Sequence, residues 1–141
     1  MKRRRRSEIL VEGDPALRGL LASKIEATYP VQTIEPPRDG LVMIRMREGA
    51  RSSLFYLGEL LVTEARVRVA GAIGLGVIAG DNEEAARQLA LIDAAYNAAL
   101  PETEQWTPLL EEEEQRLRSE RAAREEHILE TKVRFDTMEA Q

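Results

Sequence analysis

The 141-residue sequence contains no cysteine and only one histidine. The missing thiols exclude a disulfide framework, a Cys-based zinc site, a Cys-ligated iron–sulfur cluster and a cysteine nucleophile. A lone histidine excludes a His-rich metal site within one chain, and a Ser-His-Asp arrangement is possible only if His127 supplies the base. Aromatic residues make up 4% of the chain, so its core must be aliphatic. No apolar run approaches the roughly 20 residues that span a bilayer. The start, Met1-Lys2-Arg3-Arg4-Arg5-Arg6, is followed by no apolar stretch of the secretory kind, and a cytoplasmic soluble protein is expected.

Charge is plentiful but unevenly placed. The net charge of −5 divides into +4 over residues 1–80, −3 over 81–100 and −6 over 101–141. A mildly basic body therefore carries an acidic end. A chain of this length suits one domain with a genuine core.

The pattern predicts helices first. Residues 3–11 form a short helix that stops at Gly13. Asp14 caps a second helix over 15–28, with Pro15 in its first turn and Leu17, Leu20, Leu21, Ala22 and Ile25 at helical spacing. Strand signals follow. Val31–Pro36 reads as an edge strand, Arg38-Asp39-Gly40 as a turn, and Leu41–Arg47 as a strand. Residues 48–52 turn the chain, Leu54–Leu57 is a further strand, and Gly58-Glu59 marks a bulge or loop. Leu61–Val69 alternates as a half-exposed strand, with a short helix over 60–66 as the alternative. Ala72–Ala79 is a Gly-spaced apolar strand, so the sheet is antiparallel. Asp81 and Glu84 fit a capping box for a helix over 82–99, striped by Ala85, Leu89, Ile92, Tyr96 and Leu100. Residues 101–105 read as a linker. Thr107-Pro108 then opens a charged helix to about 130, and Lys132–Asp136 alternates like a lone strand suited to completing a partner's sheet.

The expected architecture is thus α+β: an antiparallel sheet covered by helices, with a long charged C-terminal helix and a terminal strand. Residues 1–100 are the core domain, and 101–141 a partner-binding arm.

Chemical signals are sparse. Gly74-Leu-Gly76-Val-Ile-Ala79 matches a dinucleotide fingerprint, but strand-like residues separate the glycines and the helix starts only after Gly80. A closely packed strand is the better reading. Glu111–Glu114 point in successive directions around a helix and cannot converge on one ion; in a first turn they complement the helix dipole. The Arg3–Arg6 run reads as a solvated terminus. Arg45, Arg47, Arg66 and Arg68, two on each of two strands, are the candidates for phosphate or nucleotide contact, because guanidinium groups match phosphate bidentately. Leu110, Leu117, Ile128, Val133 and Phe135 are the candidate partner contacts. No catalytic residue and no metal ligand is assigned, and no complete active site is expected on this chain.

An ordered set of segments resembles one family. Gly40–Arg47, Leu57-Gly58-Glu59 through Val62-Thr63, Val67-Arg68, Gly74 to Gly80, Ala90-Leu-Ile-Asp93-Ala94 and Val133-Arg-Phe-Asp136-Thr137-Met138 occur in the order seen in PhnG, a small subunit of the bacterial carbon–phosphorus lyase system. The likeness covers roughly residues 5–138. It departs at Gly80–Ala86, which lacks the Arg and His common there, and at Glu64, where an Arg is usual. The resemblance implies a core complex with PhnH, PhnI and PhnJ subunits. With an ATP-binding-cassette-type subunit, that complex displaces adenine from MgATP by a phosphonate to give a ribose 1-phosphonate 5-triphosphate. It implies no cofactor held by this chain, MgATP being the substrate of the complex, and no contact with nucleic acid or membrane. The alternative is a stand-alone homo-oligomeric module that binds phosphate or nucleotide.

Overall fold

The computed structural model describes the backbone of residues 1–47 and 54–139, and the side chains of 1–45 and 57–130. Seven elements follow in order: α1 (Arg3–Glu12), α2 (Pro15–Thr28), β1 (Val31–Arg47), β2 (Leu54–Val69), β3 (Ala72–Ala79), α3 (Glu83–Asn97) and α4 (Glu102–Glu139). The three strands form one antiparallel sheet in the order β1-β2-β3. The α+β class and the antiparallel sheet are as the sequence predicts. No described helix is long and apolar enough to cross a membrane.

The helix starts follow local chemistry. Asp14 accepts a hydrogen bond from the Ala16 N–H at 2.9 Å, with Pro15 next, so α2 begins as predicted. The α3 cap is one residue later than expected. Asn82, not Asp81, accepts from the Ala85 N–H at 3.0 Å. Thr63 decides this from β2: its Oγ accepts from the Asn82 N–H at 3.0 Å and donates to the Gly80 carbonyl at 2.6 Å.

The sheet is simpler than the sequence suggests, because six short strand, turn and bulge segments merge into two long strands. Pro36-Pro37 and Arg38-Asp39-Gly40 do not end β1. Asp39 pairs with Thr63 and Gly40 with Val62. β1 is an edge strand, where a missing N–H costs no ladder bond, and register shifts between Thr33 and Arg38 absorb the prolines. Likewise Gly58-Glu59 does not divide β2. The register shift beside Gly58 leaves Leu57 as an extra residue opposite the Ile44–Arg45 step, a β-bulge. The residue 48–52 turn lies outside the described residues.

The core lies between the sheet and α3. Ala65, Val67 and Val69 alternate inward from β2 against Ala86, Ala90 and Ala94 of α3. Gly74 and Gly76 allow β3 to touch that helix: a Cβ on Gly74 would stand 2.0 Å from the Ala90 carbonyl oxygen, and one on Gly76 2.0 Å from that of Ala86. The Gly-x-Gly segment is therefore a packing device, as the strand reading held.

Two helical expectations change. α4 begins at Glu102 and runs through Pro108, so 101–105 is not an extended linker. The proline removes one helix bond and lies close to the start of a 38-residue helix that many other bonds hold. At the other end, 132–136 continues α4 and is not a strand. The alternation of charged and apolar residues there is too short to outweigh a helix already propagating, in which each added residue gains a backbone hydrogen bond.

Candidate partner-binding surface

The long helix spends its first half inside the molecule. Thr103, Trp106, Leu110, Glu113 and Leu117 are buried at three- and four-residue spacing, and Trp106 and Leu110 belong to the main core. Leu110 and Leu117, read as partner contacts from the sequence, are consumed by the protein's own packing. Ile128, in the outer half, is 63% exposed, as is its neighbour Leu129 to a similar degree. The side chains of Val133 and Phe135 lie outside the described residues.

Ion pairs clamp the inner half of α4. Arg5 donates bidentately to Glu114 at 2.8 and 2.6 Å. Arg121 pairs with Glu12. Glu113 is buried, accepts from the Asp14 N–H at 3.0 Å and pairs with Arg116. The Arg116 hydrogen bond, followed by the Asp14 amide, holds the Glu113 carboxyl below its ordinary range against the opposing effect of burial. Two members of the Glu111–Glu114 run are thus structural anchors, Glu114 to α1 and Glu113 to the α1–α2 corner.

In the basic N-terminus Arg3, Arg4 and Arg5 are exposed, as the solvated reading expects, but Arg6 is built into the molecule. Arg6 is 5% exposed, donates to Asp93 at 2.8 Å and lies 4.1 Å from the centre of the Tyr96 ring. Arg3 donates to both oxygens of Asp93, and the Leu75 N–H donates to the same carboxylate at 2.9 Å. Burial lowers the Arg6 guanidinium from its ordinary value, and Asp93 and Tyr96 oppose that shift. This centre joins α1, α3 and β3. Its signals in the sequence are an aspartate on the apolar face of α3 and the place of that aspartate in the segment Ala90–Ala94.

The four arginines proposed for phosphate do not converge. Arg68 lies opposite Gln32 and Arg66 opposite Glu35, at the end of the hairpin near the core. Arg45 pairs with Tyr56, ten residues from Arg66 along β2, which is roughly 33 Å at strand rise. Strand alternation also puts Arg45 on the face opposite to Arg66. Arg66 lies 3.7 Å from Glu35, in a surface network with Arg38 and Glu64. Arg47 stands opposite Leu54, near Arg45, and its side chain is outside the description. Among the described residues no three His, Asp or Glu side chains come together as a metal site requires.

The geometry that stands out is the far half of the hairpin. β3 pairs with β2 only from Val62 to Val69. Residues 41–47 and 54–61 therefore continue as a two-stranded ribbon. By alternation, Leu41, Met43 and Leu61 lie on the face that α3 covers further back, and Val42, Ile44 and Leu60 on the other. All six are large and exposed, from 38% at Ile44 to 65% at Leu41. A hairpin of two strands is marginal on its own in water, and apolar side chains on both its faces mark a contact surface.

A small α+β body with a bare apolar ribbon and a protruding charged helix has the form of a protein that works by contact with others. Residues 1–140 match the family described as phosphonate metabolism protein PhnG. The chain is 34% identical over 115 residues to the alpha-D-ribose 1-methylphosphonate 5-triphosphate synthase subunit PhnG of Rhizobium meliloti (strain 1021), covering 77% of this chain and 69% of that one. The chain belongs to the PhnG family.

Proposed function

We propose that this protein is a subunit of a ribose 1-phosphonate 5-triphosphate synthase, assembled with PhnH, PhnI and PhnJ-type subunits, and that it supports displacement of adenine from MgATP by a phosphonate. The 34% identity to a synthase subunit carries the reading. The exposed ribbon and the outer half of α4 supply the contact surfaces that such a role needs. In this reading its part is assembly and support, with the reacting groups on other chains. A stand-alone nucleotide-binding module is less well supported, because the two arginine pairs lie at opposite ends of the hairpin.

Co-expression with the three partner subunits tests the assignment. The chain should elute with them as one complex. Release of adenine from MgATP plus methylphosphonate, with the cassette-type subunit added, should require it. Elution of this chain as a separate species, or full adenine release in its absence, overturns the reading.

A further inference from the structure

Both faces of the ribbon are apolar, and this constrains what covers it. The described strand pair extends about seven residues beyond β3, or roughly 23 Å, and two strands about 4.8 Å apart give a width near 10 Å. One face then offers on the order of 230 Å² in plan, far below the ~800 Å² per partner of a stable interface. Two faces, together with the strand edges and the relief of the side chains, approach that requirement. The edges matter too. β1 is the rim of the sheet throughout, and β2 becomes a rim before Val62, so among the described residues no third strand covers either edge of the ribbon.

A second copy of this chain fits poorly. Edge-to-edge pairing of two ribbons would extend the sheet and leave all four apolar faces in water. Face-to-face stacking would cover one face of each. Insertion into a cleft on the body of another copy meets charged walls. Each cleft on the body carries charge beside its apolar residues: Arg5, Glu114 and Arg118 beside Ile9 and Leu117 in one, Asp14, Glu112 and Arg116 around Leu17 and Leu109 in another, and Arg3 and Arg4 beside Leu75 and Val77 in a third.

We infer that the β1–β2 ribbon inserts into a two-walled apolar cleft of a different subunit, so that Leu41, Met43 and Leu61 meet one wall and Val42, Ile44 and Leu60 the other. Backbone groups of the partner complete at least one strand edge. The ribbon is a tongue held from both sides. This rests on the subunit reading above and specifies its contact.

Two double variants of the full chain separate the faces: Leu41→Asp with Met43→Asp, and Val42→Asp with Leu60→Asp. Each is co-expressed with PhnH, PhnI and PhnJ. Each should reduce the amount of this chain in the complex at least tenfold, and thermal unfolding of the isolated variants should match the parent because the ribbon lies outside the core. Leu41→Thr with Met43→Thr, which keeps strand preference, should also weaken assembly. Loss of assembly for one face only means a flat contact and overturns the inference, as does assembly undisturbed by either pair. A parent chain that is a homodimer in isolation, and a monomer in both variants, overturns it in favour of a second copy. If the parent chain itself fails to join the complex, the subunit reading has failed, an outcome distinct from failure of the tongue alone.

Discussion

The two halves of the β1–β2 hairpin are continuous in backbone and opposite in environment. Near the core, one face is sealed under α3 by Ala65, Val67 and Val69, and the other carries charged residues such as Arg66 and Glu64. Beyond Val62 the same two strands lose β3 and α3 together, yet the side chains become more apolar. Exposure and apolarity normally oppose one another. Their coincidence here means that, among the described residues, nothing covers the apolar side chains of the far half. α4 repeats the lesson: its inner half buries Trp106 and Leu110, and its outer half exposes Ile128 and Leu129.

The sharpest way to break this comparison is to damage the finished half. Asp93→Ala leaves the buried Arg6 without its carboxylate and should cost about 3–5 kcal/mol, read as a lower denaturation midpoint in urea. A change much under 1 kcal/mol would mean that the Arg6 pair is not a structural centre.

Gly76→Ala should cost about 3 kcal/mol or more, because its methyl group must displace the α3 backbone. Gly58→Ala, in the ribbon, meets no heavy atom within 4 Å and should change stability by less than about 1 kcal/mol. Equal effects at both positions would erase the distinction between the halves.

The two parts of α4 should divide in the same way. Leu110→Ala opens a cavity in the core and should cost about 2–5 kcal/mol. Ile128→Ala should leave the isolated chain within about 0.5 kcal/mol of the parent and show its effect in assembly. Thermal scans of each, alone and co-expressed, distinguish them.

The smallest effect concerns pH. The Glu113 carboxyl is held below its ordinary value in the folded state. Its contribution is therefore complete above the unfolded value of about 4.3 and is lost as pH falls through the lower folded value. Stability measured from pH 6 down to pH 3 should fall less steeply in Glu113→Gln than in the parent. Parallel curves would remove Glu113 as the acid-sensitive link between α4 and the α1–α2 corner.

Local signals were strongest where one residue and its neighbours suffice. Asp14-Pro15 starts α2 because cap and proline act within one turn, and the alternation from Thr63 to Val69 shows which face of β2 is buried. Gly74 and Gly76 were readable as a packed strand. The candidate site was only partly legible. Leu41–Arg47 was recognisable as a strand, but the short length of β3, which ends opposite Val62, determines that neither of its faces is covered among the described residues. The weakly apolar face of α4 points Leu110 and Leu117 toward a partner, and the packing of that helix against α1 and α3 buries them instead.

The starts of α1 and α2, the antiparallel pattern and the PhnG resemblance follow from the sequence alone, since each depends on neighbouring residues or on ordered identity. Only the tertiary structure decided that Arg6 and Asp93 form a buried pair, that α4 is half core and half arm, and that the hairpin outruns its own sheet. Those outcomes depend on which distant segments arrive at the same place and where they stop. The separation of 87 positions between Arg6 and Asp93, like the eight-residue length of β3 beyond which the ribbon is exposed, has meaning only once the chain is packed.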